Sequence, residues 1–130
     1  MRLLLDAHVW LWWLTDPARL NSAAIDLMTD RSHHLYLSAA TVWEVVIKHS
    51  LGKLDLPSAP DRLIPAAMAE DGLVGLPIEH PHVLRVGHLP PHHRDPFDRV
   101  LVAQAQVEGL TLLTADPQLA AYDVQIIRAA

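Results

Sequence analysis

The stretch Arg2-Leu3-Leu4-Leu5-Asp6-Ala7-His8-Val9-Trp10-Leu11-Trp12-Trp13-Leu14 sets a short apolar run, then a carboxylate, then a longer apolar run. Leu3 to Leu5 is unbroken and brief, as expected of a strand buried on both faces. Val9 to Leu14 is apolar around its whole circumference, as expected of a helix covered on more than one side. Core burial explains that pattern, and so does an interface in which Trp12 or Trp13 anchors a partner. The helix ends at Asp16-Pro17, and Asp6 stands at the joint between a buried strand and the helix that follows it.

The same alternation continues outward. Asn21-Ser22 caps a helix running to about Asp30 with Ala24, Ile25 and Met28 on its apolar face, and Leu35-Tyr36-Leu37 reads as a strand. Ala40 to Leu51, free of Pro and Gly, is a helix ending near Gly52 and carrying Glu44 and Lys48. Pro60-Asp61 begins a helix that closes at Asp71-Gly72, ahead of a strand from Leu73 to Ile78. His80 to Gly87 reads as one more short helix. Pro90-Pro91-His92-His93-Arg94 is a loop by its prolines, and Asp95-Pro96 caps a helix that runs to Glu108-Gly109. Strand Thr111 to Leu113, a helical turn from Asp116-Pro117 to Tyr122 and a last strand, Val124 to Ile127, complete the chain. Strands alternating with helices predict an α/β fold with a parallel sheet covered on both faces.

With 130 residues and 51% hydrophobic content the chain has material for one core, so a single domain over 1–130 is expected. A formal net charge of −5 argues against holding nucleic acid by bulk charge alone. The absence of Cys excludes disulfides, thiolate metal sites and a Cys nucleophile. No apolar run approaches the roughly 20 residues of a membrane span, and Asp6 interrupts the stretch a signal peptide would need. A cytoplasmic protein is the default.

In open parallel sheets ligands gather outside the carboxyl ends of the strands. Asp6 and Asp116 each follow a strand, Asp98 begins a helix after a loop, and Glu44 lies one turn into a helix that follows a strand. All four can share that edge. Clustered carboxylates repel one another unless a hard cation such as Mg²⁺ neutralises them. Each acid alone has a plainer use. Asp6, Asp95 and Asp116 suit helix caps, and Glu44 suits an i, i+4 pair with Lys48. Arg94 and Arg99 are candidates for orienting the acids or holding substrate phosphate, Asp95 for supporting the acids or facing the substrate, and His8, two residues after Asp6, for touching the pocket. The nine His residues do not fall at zinc-motif spacing, and His92-His93 is read as a loop supplying hydrogen-bonding groups near the acids.

Leu4-Leu5-Asp6-Ala7-His8-Val9-Trp10-Leu11-Trp12-Trp13, Thr41-Val42-Trp43-Glu44, His93-Arg94-Asp95-Pro96-Phe97-Asp98-Arg99 and Leu113-Thr114-Ala115-Asp116 together resemble the PIN-domain family, and within it the VapC-type toxins of bacterial toxin–antitoxin pairs. The resemblance covers nearly the whole chain. It implies a three-layer α/β/α fold with a parallel sheet of about five strands, and a Mg²⁺- or Mn²⁺-dependent endoribonuclease. The family's acids carry over onto Asp6, Glu44, Asp98 and Asp116, with the metal most directly on Asp6 and Asp98. A cognate antitoxin and a homodimer are implied as partners. The chain departs from its relatives at Ala7, where they often place Thr or Ser.

Hydrolysis at such a centre needs no protein nucleophile, since the metal lowers the pKa of bound water and stabilises the leaving oxygen. Single-stranded or loop RNA suits an open acidic cleft better than duplex. Two rivals stand beside this reading. An aspartyl-phosphate enzyme would want a second Asp where His8 stands, and a non-catalytic RNA- or protein-binding module would keep the fold without needing all four acids.

Overall fold

Odd and even residues of the first strand, β1 (Arg2–Leu5), face opposite sides of the sheet, and each side meets its own core. The computed structural model describes residues 1–130. Leu3 and Leu5 pack with Leu35, Leu37 and Leu113 in one cluster, whereas Leu4 and Leu112 belong to the other. All of these side chains are buried, so the central strands read as continuous apolar runs.

Four further strands complete the sheet: β2 (His34–Ser38), β3 (Val74–Leu76), β4 (Thr111–Thr114) and β5 (Ile126–Arg128). Every pairing is parallel, in the order β3-β2-β1-β4-β5. The chain therefore steps outward from β1 to β3, then returns to the other side of β1. The reversal lies between β1 and β4, where Leu5 pairs with Leu113.

Helices α1 (Ala7–Thr15), α2 (Ser22–Thr29), α3 (Ala39–Ser50) and α4 (Pro60–Asp71) contribute Trp10, Met28, Val45 and Ile64 to the first cluster. Helix α6 (Pro96–Glu108) supplies Leu101 and Val102 to the second, joined by Val86 of α5 (His80–Val86). The expected three-layer arrangement is what forms. Gly109 takes a φ of +67° to end α6, a conformation only glycine adopts at little cost, and this turns the chain into β4.

The outer strands differ from expectation. β3 covers only Val74–Leu76, and β5 begins two residues later than Val124 and ends at Arg128. Both are edge strands, paired on one side only, so register with a neighbour rather than apolar content sets their ends. The apolar helix α1 is covered in part within the chain, with Leu11, Trp12, Trp13 and Leu14 half-buried. Trp10 is buried, Trp13 Nε1 donates to Asp71 Oδ2 at 3.1 Å, and the Arg19 guanidinium lies 4.7 Å from the Trp12 ring centre. The tryptophan that stands out is Trp43, 58% exposed, set edge-on to Phe97. No helix is long and apolar enough to cross a membrane.

Candidate functional site

Asp6 leaves β1 at the point where the strand order reverses, and Thr114 ends the neighbouring β4. Asp6 caps α1, its Oδ1 accepting from the Ala7 backbone N–H at 2.7 Å. Its Oδ2 accepts from the Thr114 hydroxyl at 2.7 Å, and that hydroxyl accepts from the Asp116 N–H at 3.0 Å. One threonine thus links two acids across the switch point, on the edge where parallel sheets bind ligands.

Glu44 reaches this edge from α3. The Ser38 side chain caps α3 by accepting from the Ala40 N–H, and its hydroxyl donates to Gln104 of α6 at 2.6 Å. That bond fastens the start of α3 to α6 and so fixes Glu44 relative to Asp98. Glu44 is buried and pairs with Lys48 Nζ at 2.8 Å. Asp98 lies in the first turn of α6, where Asp95 Oδ1 caps the helix by accepting from the N–H groups of Phe97 and Asp98.

Burial pushes the Asp98 carboxyl up to about 7, and the negative charges of Asp6, Asp95 and Glu44 push in the same direction. Burial also raises Asp6, against the opposing effects of the Thr114 hydrogen bond and His8. The Lys48 ammonium is held above its ordinary value by its bond to Glu44, helped by the charges of Glu44, Asp95 and Asp98. Asp6, Glu44, Asp95 and Asp98 therefore share one electrostatic neighbourhood, with Lys48 beside it.

His93 stands between two of these acids. Its Nε2 is 2.9 Å from Asp116 Oδ2 and 3.4 Å from Asp98 Oδ2, while its Nδ1 accepts from the Asp95 N–H at 3.0 Å. The loop that sequence places near the acids thus delivers one specific imidazole. Its neighbour His92 is exposed and lies edge-on to Tyr122. What marks His93 in sequence is only that it precedes Asp95 by two residues.

The other candidates divide. His8 is exposed and, with Asp6, Trp12 and Asp116, lines a small cavity of about 250 Å³. Arg94 is exposed and makes no hydrogen bond or ion pair. Arg99 points away from the acids, its guanidinium donating to the carbonyls of Val86, Leu89, Pro90 and His93. The largest depression, about 500 Å³ beside Trp43 and Val46, has no titratable side chain in its wall.

Only carboxylate oxygens are offered by Asp6, Glu44, Asp98 and Asp116, the donor chemistry preferred by Mg²⁺ and Mn²⁺. The mutual repulsion that raises Asp98 is what a divalent ion relieves. A further polar atom, the Thr41 hydroxyl one turn before Glu44, is buried without a partner. The residues fit a hard divalent cation.

No curated protein matches this chain in sequence. Among solved structures, a chain of VapBC2 from Rickettsia felis bound to a fragment of its promoter DNA superposes with a TM-score of 0.77 at 11% identity, covering 100% of both chains. VapBC-1 from nontypeable Haemophilus influenzae gives 0.70 at 16%, and VapBC-5 from Mycobacterium tuberculosis 0.61 at 22%, each covering 98% of both chains. At such identities the likeness is one of fold. The family model for the PIN domain matches residues 3–125, from the first buried strand to the residue before the last, and the chain belongs to the PIN domain family.

Proposed function

We propose that this chain is a Mg²⁺-dependent endoribonuclease, with Mn²⁺ as a possible substitute, acting in the cytoplasm as the toxin of a type II toxin–antitoxin pair. The observation that carries the reading is the convergence of Asp6, Glu44, Asp98 and Asp116, from four separate segments, at the switch point of the sheet. Membership of the PIN family supports a nuclease, and the solved structures that share the fold include VapBC complexes. The antitoxin is the protein partner expected on that ground, with a homodimer as the second assembly to be sought.

Asp6 and Asp98 are the residues assigned to hold the ion, with Glu44 and Asp116 completing the acidic wall. When bound, the ion would supply an activated water and stabilise charge on the phosphoryl and leaving oxygens. The protein's own part is positioning. Thr114 orients Asp6, the Ser38–Gln104 bond sets Glu44 against Asp98, and Asp95 holds the first turn of α6. Lys48 is the lysine beside the acids and half exposed, and it is placed to meet a phosphate of the strand being cut.

Cleavage of total RNA by purified, antitoxin-free protein in Mg²⁺ or Mn²⁺, against EDTA, tests the reading. Discrete products are expected, lost by at least about 100-fold in Asp6→Asn and Asp98→Asn. Equal cleavage by these variants identifies a contaminating nuclease. No cleavage by folded, metal-loaded protein across individual structured RNAs favours the binding-module reading.

A further inference from the structure

Helix α1 carries His8 and Trp12 four residues apart, on one face, and begins at its cap Asp6. With Asp6, Ala115 and Asp116, these two rings line the cavity of about 250 Å³. Their centres lie 6.0 Å apart at an angle of 51°, so neither ring spends a face on stacking against the other. His8 is exposed and makes no hydrogen bond or ion pair. A short 3₁₀ turn, Pro17–Arg19, then folds back on α1 and sets the Arg19 guanidinium 4.7 Å from the Trp12 ring centre. Arg19 is exposed and has no carboxylate partner.

The cavity is continuous with the acidic centre, because Asp6 and Asp116 belong to both. Carboxylates in its wall repel a phosphate. A neutral nucleobase instead offers a flat π face to the rings and N–H donors to the acids. Bases stacked and paired in a duplex cannot turn into such a cavity, so the base must come from a single strand. Aromatic rings beside a free cation are the combination that holds single strands, the rings taking bases and the cation taking backbone phosphate. The larger depression beside Trp43 and Val46 has no charged side chain in its wall and lacks that second component.

We propose that this cavity is a base subsite: an unpaired nucleobase next to the bond being cut stacks on His8 and Trp12, and Arg19 meets the backbone phosphate beyond it. This rests on the ribonuclease reading of the acids and adds the residues that select a single strand and seat it. Stacking favours a flat ring over any one base, so the subsite grips single strands of varied sequence.

Affinity for a short fluorescent single-stranded oligoribonucleotide, measured with Ca²⁺ in place of Mg²⁺ to keep the strand uncut, tests the proposal. His8→Ala is expected to weaken binding at least about fivefold, and His8→Phe, which keeps a ring, to restore it. Arg19→Gln should lower the slope of log affinity against log salt by about 0.7. The same strand held in a duplex should bind wild type and His8→Ala alike. In a strand carrying 5-iodouridine, light should attach the base to His8 or Trp12 of the unaltered chain, a readout that needs no variant to fold. Unchanged affinity in folded His8→Ala, adducts confined to Trp43 or other residues, or no RNA bound by wild type would each overturn the proposal. So would a His8→Ala protein that keeps its RNA affinity and loses a protein partner instead. Cleavage of total RNA separates the two levels. Metal-dependent cleavage with unchanged RNA affinity and KM in His8→Ala sinks only the subsite, whereas the expected binding losses without any metal-dependent cleavage sink only the nuclease.

Discussion

Lys48 Nζ lies 2.8 Å from Glu44 Oε2, one helical turn along α3, with the lysine 41% exposed and the glutamate almost fully buried. An i, i+4 pair on an open helix face is worth a few tenths of a kcal/mol. This pair differs because Asp95 and Asp98 also act on the ammonium. Lys48 therefore serves the whole acidic group, and it supplies positive charge to the side of the pocket that Glu44 lines.

Lys48→Met is expected to destabilise the metal-free protein by about 1–2 kcal/mol, between the values for exposed and buried pairs. Mg²⁺ should recover much of that loss, so the thermal shift on adding Mg²⁺ is larger in the variant than in wild type. The folded value of Lys48 is raised, so its stabilisation is fully present below the ordinary 10.5 and is lost only as pH rises through the higher folded value. The difference between variant and wild type attributable to this group should accordingly be flat from pH 8 to 9, above the range in which Asp98 changes charge. Thermal unfolding with and without Mg²⁺ checks both statements.

Asp98 sets the opposite dependence. Its carboxyl lies at about 7 folded against 3.8 in the unfolded reference, so the folded state holds the proton more tightly. Its contribution is fully present below 3.8 and is lost as pH rises through about 7, by at most ~1.4 kcal/mol per pH unit in that window. Metal-free protein should lose stability from pH 5 to 8 through this group, and Asp98→Asn should flatten the slope. Because an ion requires the carboxylate, the Mg²⁺-induced rise in melting temperature should be small at pH 5.5 and grow through pH 7. A Mg²⁺ shift of the same size at both pH values would contradict this.

Thr114 is the hydroxyl on which Asp6 and Asp116 both depend. Thr114→Val keeps the shape but leaves the Asp116 N–H and Asp6 Oδ2 without that partner, and should cost about 1–3 kcal/mol in stability. Thr114→Ser should restore most of it. If the hydroxyl also orients Asp6 for the ion, the valine variant needs more Mg²⁺ for half-maximal binding and the serine variant does not. Calorimetric Mg²⁺ titration of the two variants separates orientation from plain packing.

The acids that follow strands are legible because the strand itself is. Leu3 to Leu5 and Leu112-Leu113 are unbroken apolar runs, so Asp6 and Asp116 fall at a predictable edge. Glu44 follows from the run Ala40 to Leu51, which lacks Pro and Gly, and Asp98 from the helix start that Asp95-Pro96 marks. Lys48 is legible only as a surface partner, because sequence spacing gives the neighbour on the same helix but not the acids of α6 across from it. Asp95 is open between ligand and cap in sequence, and the bonds to Phe97 and Asp98 show a cap. His93 depends on where a proline-bent loop closes and on Tyr122, distant in sequence, which anchors it. Local pattern carries no trace of such a contact.

Arg99 shows the same limit from the other side, since its sequence position beside Asp98 suggests phosphate binding and its contacts say otherwise. One guanidinium nitrogen donates to the carbonyls of Pro90 and His93 and to the Tyr122 hydroxyl, the other to the carbonyls of Val86 and Leu89, all at 3.1 to 3.4 Å. A planar fork can span these groups at once, while the single ammonium of lysine cannot. Arg99→Lys keeps the charge but should lose about 1–3 kcal/mol of stability, because several carbonyls around residues 86–93 lose their donor. The loop that loosens is the one that delivers His93, so the imidazole signals of His93 should broaden in the same variant. Arg94→Ala, at an exposed residue without partners, should move stability by less than about 0.5 kcal/mol. A phosphate-holding Arg99 would give the reverse outcome: unchanged melting for Arg99→Lys, and weaker, less salt-sensitive RNA binding for Arg99→Ala. Melting curves and RNA titrations at two salt concentrations therefore decide whether this arginine builds the loop or meets the substrate.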